Sequence, residues 1–92
     1  MIQYKISDEL DIILKKLKRK DIVTRGAILR KIEEIVNSGN IEHYKNLSYD
    51  LKEYKEAHIR KSFVLVFKFD KINNAIEFVD FDHHDKIFPR RA

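Results

Sequence analysis

Phe63-Val64-Leu65-Val66-Phe67-Lys68-Phe69 is apolar at both alternating sets of positions. That pattern predicts a central strand covered on its two faces, because successive side chains of an extended chain point to opposite sides. The rest of the chain arranges itself around this ribbon. Asp70-Lys71-Ile72-Asn73-Asn74 supplies turn residues, and Ala75 to Asp82 resumes as a strand, giving a hairpin. Upstream, another strand is expected within Leu51 to Arg60, reached through an irregular loop from Ile41 to Ser48.

At the N-terminus Ile2, Tyr4 and Ile6 alternate with Gln3 and Lys5, a short strand with one buried face. Ser7 then reads as a helix N-cap, with Asp8 and Glu9 in the first turn where the helix dipole favours negative charge. Leu10, Ile13, Leu14 and Leu17 repeat at helical spacing, so a helix should run from about Asp8 to Arg19. A second apolar stripe, from Val23 through Ala27, Ile28, Ile32 and Ile35 to Val36, predicts a helix from near Asp21 that ends before Gly39. Pro89 should end the last regular piece and leave Arg90-Arg91-Ala92 as a mobile basic tail.

The expected fold is therefore α+β: a helical hairpin packed on a small antiparallel sheet, in the order β-α-α-β-β-β, forming one domain over residues 1–92. With 92 residues there is no room for a second core. The chain has no Cys, which removes disulfides, thiolate nucleophiles and Cys-based zinc sites. Asp8, Glu9 and Asp11 interrupt any signal-peptide pattern, and no apolar run approaches a membrane span, so a cytoplasmic protein without a membrane partner is expected. A net charge of +4 favours a polyanionic partner. The two glycines, Gly26 and Gly39, make no phosphate-cradling loop.

The blocks Tyr54-Lys55-Glu56-Ala57-His58-Ile59 and His84-Asp85-Lys86-Ile87-Phe88, with the Phe63 to Asp70 strand between them, resemble the RelE/ParE toxin superfamily, most of all its YafQ branch. The resemblance covers almost the whole chain, and its specificity lies in the short motifs. It implies an endoribonuclease that cuts messenger RNA in the ribosomal decoding site and is held inactive by a cognate antitoxin. It places His58, His84 and Phe88 at an active site. Where the YafQ pattern has an acidic residue this chain has Ser62, and where it has a further histidine this chain has Lys45, with His43 close by. The ParE branch, which inhibits DNA gyrase without the histidine set, and a non-catalytic RNA-binding domain are the alternatives.

Strand alternation puts Tyr54, Glu56, His58 and Arg60 on one face and Lys55, Ala57 and Ile59 on the other. A Tyr-Glu-His-Arg face is solvated or a site, not a core. Attack of a ribose 2'-hydroxyl on the adjacent phosphorus needs a base, an acid for the leaving 5'-oxygen and a cation for the added charge. His58 and His84 are assigned the proton transfers, Arg60 or Lys55 the phosphate, and Phe88 base stacking, with Tyr54, Lys45 and His43 as further substrate contacts. No cofactor or metal is called for. Asp80, Asp82, His83, His84 and Asp85 have metal-binding chemistry, but neighbours on a strand point apart. Lys15-Lys16-Leu17-Lys18-Arg19-Lys20 would hold ribosomal RNA phosphates, or be the solvated side of a helix. Each residue also has a plainer reading: a structural histidine, charges at a sheet edge, an aromatic closing the core.

Overall fold

The computed structural model describes residues 2–47 and 53–91. The elements run β1 (Gln3–Ile6), α1 (Asp8–Lys20), α2 (Ile22–Val36), a 3-10 turn (Ile41–His43), β2 (Tyr54–Ile59), β3 (Phe63–Asp70), β4 (Ala75–His83) and α3 (His84–Arg91). Ser48, Leu51 and Lys52, at the edges of the expected loop and strand, lie outside the described residues. The order matches the sequence expectation, and the helical hairpin lies against one sheet face.

Local chemistry sets the helix boundaries. The Leu10 amide donates to Ser7 Oγ at 3.1 Å, so Ser7 is the N-cap of α1, and its hydroxyl donates in turn to the Val79 carbonyl at 2.9 Å. Asp21 alone separates the helices: it closes α1 and caps α2, accepting from the Thr24 amide at 3.0 Å and the Thr24 hydroxyl at 2.6 Å. Those two donors hold the Asp21 carboxyl below its ordinary pKa. Gly39 takes φ +73° beyond the C-cap Asn37, a conformation that costs glycine nothing.

The sheet order is β1-β4-β3-β2, so β3 is central as its two-sided apolar pattern requires. β2, β3 and β4 pair antiparallel, whereas β1 pairs parallel with β4. The sheet is thus mostly antiparallel, as expected, with β1 added as a parallel edge strand that the sequence reading had not distinguished. The alternation of a four-residue strand carries no information on its neighbour's direction. That is fixed by the return of the chain after the helices and by Ser7, whose amide donates to the Phe78 carbonyl at 2.9 Å.

A bulge decides which residues of β4 face where. Val66 pairs with Asp80 but Phe67 pairs with Phe78, so Val79 is an extra residue. Ile76, Phe78 and Phe81 consequently join Leu65, Phe67, Ala57 and Ile59 in one core with Leu10, Leu14, Ile28, Ile32 and Ile35 of the helices. The opposite face holds a smaller cluster of Val64, Val66, Val79, Leu47 and Ile87, with Tyr54 against it.

Ile87 is fully buried and comes from α3. The expected stop at Pro89 and the tail at Arg90-Arg91 are corrected here, since α3 continues through Pro89 to Arg91. Proline removes one amide donor, but on this short helix Pro89 and Asp85 are both exposed and water can satisfy the freed carbonyl. Among the described residues no helix is long and apolar enough to cross a membrane.

Candidate active site

On the sheet face turned away from α1 and α2, register lines up polar side chains in rows. His58 sits opposite Val64, which sits opposite Asp82; Glu56 sits opposite Val66, opposite Asp80. Directly opposed residues share a face, so Glu56 and His58 lie over the small valines of β3. Valine leaves room there that a phenylalanine would fill. The β2–β3 turn and α3 close the end of this face, and the His84 amide donates to the Ser62 carbonyl at 2.8 Å.

That arrangement brings His84 to His58. The two imidazoles are 6.3 Å apart between centroids and inclined by only 15°. Behind them lies Glu56, only 5% exposed. Its Oε1 is 3.5 Å from His58 Nε2 and its Oε2 is 3.8 Å from His84 Nε2. Such separations are longer than ordinary hydrogen bonds, so one buried carboxylate lies beside both rings while the rings themselves stay open to solvent.

A hollow of about 390 Å³ opens over this pair, lined by His58, Lys61, Ser62, His83, His84 and Asp85. Two imidazoles supply proton donors and acceptors, Lys61 supplies a cation, and the Glu56 carboxylate lies beneath both rings. His83 stands apart from the pair, its ring against Phe63 at 4.2 Å. Among the described residues no three His, Asp or Glu side chains are disposed to hold a metal ion.

Other expected site residues are placed elsewhere. Arg60 has φ +59°, which takes it out of the β2 alternation; it lines a second hollow with Arg30 and Lys31 of α2, and His58 lines that one too. Lys55 Nζ donates to the Tyr44 carbonyl at 3.1 Å and to Asn46 Oδ1 at 2.9 Å, tying the preceding loop to β2. Lys45 contributes its carbonyl, which accepts from the Glu56 amide at 2.9 Å, and so steadies the strand beside the site. His43 is exposed, bonded through Nδ1 to the Asn40 carbonyl, with its ring tilted against Tyr44 at 4.1 Å, away from the hollow. Tyr54 is half-buried with Lys68 Nζ 5.0 Å above its ring. Phe88 belongs to α3, and its side chain lies outside the described part of the structure.

Two contributors, Glu56 and Lys61, were given no site role from sequence, although Glu56 fell on the same strand face as His58 and Lys61 was weighed as an edge charge or a phosphate contact. The signal for Glu56 was its spacing of two from His58 on a strand, but only its burial makes it the shared partner of both rings. Lys61 follows the end of β2, and it is the tight turn after Ile59 that carries it into the hollow.

No established family model matches the chain. A protein of Methanocaldococcus jannaschii that bears the name toxin RelE4 is 48% identical over 91 residues, covering 99% of this chain and 95% of that protein. Among solved structures, the heterotetrameric YoeB–YefM toxin–antitoxin complex from Staphylococcus aureus contains a chain with a TM-score of 0.70 at 19% identity, covering 91% of this chain and 98% of that one. YafQ from E. coli gives 0.67 at 16% identity, with coverages of 96% and 99%. The structural likenesses speak for the fold.

Proposed function

The chain belongs to the RelE/ParE-like toxin superfamily, and from that premise we propose that it is the toxin of a toxin–antitoxin pair, an endoribonuclease that cuts messenger RNA on the ribosome by 2'-hydroxyl attack. The observation that carries the reading is the pair of open imidazoles, His58 and His84, held over one hollow by the buried Glu56.

One histidine takes the 2'-hydroxyl proton as the oxygen attacks phosphorus, and the other gives a proton to the departing 5'-oxygen. A 2',3'-cyclic phosphate and a 5'-hydroxyl end result. Every proton is accounted for by the two rings. Negative charge on the phosphorane is met by Lys61, the cation of the hollow, in the role that sequence had given to Arg60 or Lys55. Glu56 touches no substrate in this scheme. It lies behind both rings and positions them. Phe88 is proposed to stack on or position a base.

The basic residues of α1 bear on where the enzyme works. Lys15, Lys16, Lys18 and Arg19 line an open surface with Ile12, suited to the phosphates of ribosomal RNA and insensitive to sequence. A cognate antitoxin would block the toxin, and the cytoplasm is where translating ribosomes and such a partner meet.

The test is purified protein added to translating ribosomes carrying a defined message. Cleavage that His84→Ala abolishes supports the reading. No cleavage by the unaltered protein, with growth arrest retained in a His58→Ala, His84→Ala double variant, would assign it to a non-nuclease branch of the superfamily.

A further inference from the structure

The hollow on the other side of His58 is built differently. It measures about 270 Å³ and lies between α2 and the β2–β3 turn, lined by the apolar Ala27 and Ile59, the cations Arg30, Lys31 and Arg60, and the carboxylate of Glu34, with His58 at its edge. Arg60 reaches it because its φ of +59° breaks the strand alternation, a left-handed conformation that a side-chain-bearing residue adopts only when its surroundings impose it.

Arg30 is placed by a second unusual residue. Gly26 sits in the interior of α2, where glycine is a poor helix former, and a Cβ there would come within 3.3 Å of Arg30 Nη1. The bare backbone thus leaves space for the guanidinium to fold back over the helix. Local acids are already engaged: Glu34 accepts from Lys31 Nζ at 3.1 Å, and Asp21, which feels Arg60, is occupied by Thr24. Among the described residues neither Arg30 nor Arg60 has a carboxylate within 4.0 Å. Two guanidinium groups lining one hollow, with the Glu34 carboxylate already held by Lys31, are matched by an anion with several acceptor oxygens.

We infer that Arg30 and Arg60 form a second phosphate subsite, which holds a neighbouring phosphate of the RNA strand whose reacting phosphate lies between His58 and His84. His58 lines both hollows, so a strand crossing that ring enters one hollow as it leaves the other. The inference rests on the ribonuclease reading, and it fixes the direction in which the strand crosses the molecule: from the α2 side, over the β2–β3 turn, to α3.

The experiment measures binding of a fluorescent oligoribonucleotide to His84→Ala protein over a range of salt, with and without Arg30→Gln and Arg60→Gln. The double change should weaken binding about tenfold, the loss of roughly one charge-assisted phosphate contact. The slope of log K against log salt should fall by about 0.7 for each phosphate contact removed. In the cleaving protein the same pair should raise KM and leave kcat alone. Arg60→Gly, which keeps the left-handed turn without strain, should weaken binding as Arg60→Gln does, separating a lost contact from a misfolded turn.

If the unaltered protein cleaves RNA while affinity, salt slope and KM ignore these changes, the subsite is overturned and the ribonuclease reading stands. If it binds RNA through both arginines without cutting a message on the ribosome, the subsite stands and the ribonuclease reading falls. Loss of binding to a poly-glutamate peptide, with RNA binding intact, would give the hollow to an acidic protein partner and overturn the subsite.

Discussion

The two faces of the sheet use the same three antiparallel strands for opposite ends. Towards the helices lie Leu65, Phe67, Ile76, Phe78 and Phe81, large side chains filled in by Leu10, Leu14 and the isoleucines of α2. Towards α3, among the described residues, lie Val64, Val66 and Val79 with Leu47, Ile87 and the half-buried Tyr54, and between them two buried carboxylates, Glu56 and Asp80. The first face provides most of the apolar burial. The second, with a thin cover and short side chains, has room for polar groups to be held without being packed away. Asp80 is settled there by its own neighbourhood, its Oδ1 accepting from the Phe81 amide at 2.9 Å.

If that division is right, substitutions on the two faces separate activity from stability. On the α3 face, His84→Ala should slow cleavage by about 10² to 10⁴-fold, the usual weight of a general acid or base, while thermal unfolding stays close to that of the unaltered protein. On the helix face, Phe78→Ala should cost about 3–5 kcal/mol in denaturant unfolding, with activity per folded molecule unchanged. A Phe78→Ala protein that folds normally would break the comparison outright.

Val66→Ala sharpens it, because the valine lies under the thinner cover and a loss of about 2 kcal/mol is expected, clearly less than for Phe78. Acid titration probes the helical hairpin alone. The folded-state pKa of Asp21 is depressed, so its cap contributes fully above the unfolded value near 4 and is lost as pH falls through the lower folded value. Melting temperature followed downward from pH 5 should therefore drop less steeply in Asp21→Asn, which can still cap α2 but cannot titrate there. Gly26→Ala should have the smallest effect. Roughly 0.5–1 kcal/mol of helix propensity is gained and partly offset as Arg30 shifts, and RNA affinity falls slightly.

Much of this was legible in the residues themselves. Phe63 to Phe69 announced a central strand, Ser7 and Asp8 a helix start, and the turn residues after Asp70 a hairpin, because each is a local preference that tertiary contacts had no reason to override. The parallel pairing of β1, the Val79 bulge and the passage of α3 through Pro89 depend on contacts distant in sequence. The same split runs through the site. His58 and His84 were readable from motif and spacing. Glu56 became a shared partner only through its burial between the two histidines' strand and helix ends in the folded chain, and Arg60 changed its surroundings because one backbone dihedral left the strand region. Lys55 was a candidate clamp by charge, yet its ammonium is occupied by the loop it fastens.

Two imidazoles are proposed to move the protons of an internal attack by the 2'-hydroxyl, and the ends of the RNA report that chemistry directly. Message cleaved on ribosomes by the purified protein should carry a 2',3'-cyclic phosphate upstream and a 5'-hydroxyl downstream, and neither end should appear with His58→Ala or His84→Ala. Fragments with a 3'-hydroxyl and a 5'-phosphate, or the same cut made at full rate by both variants, would contradict it.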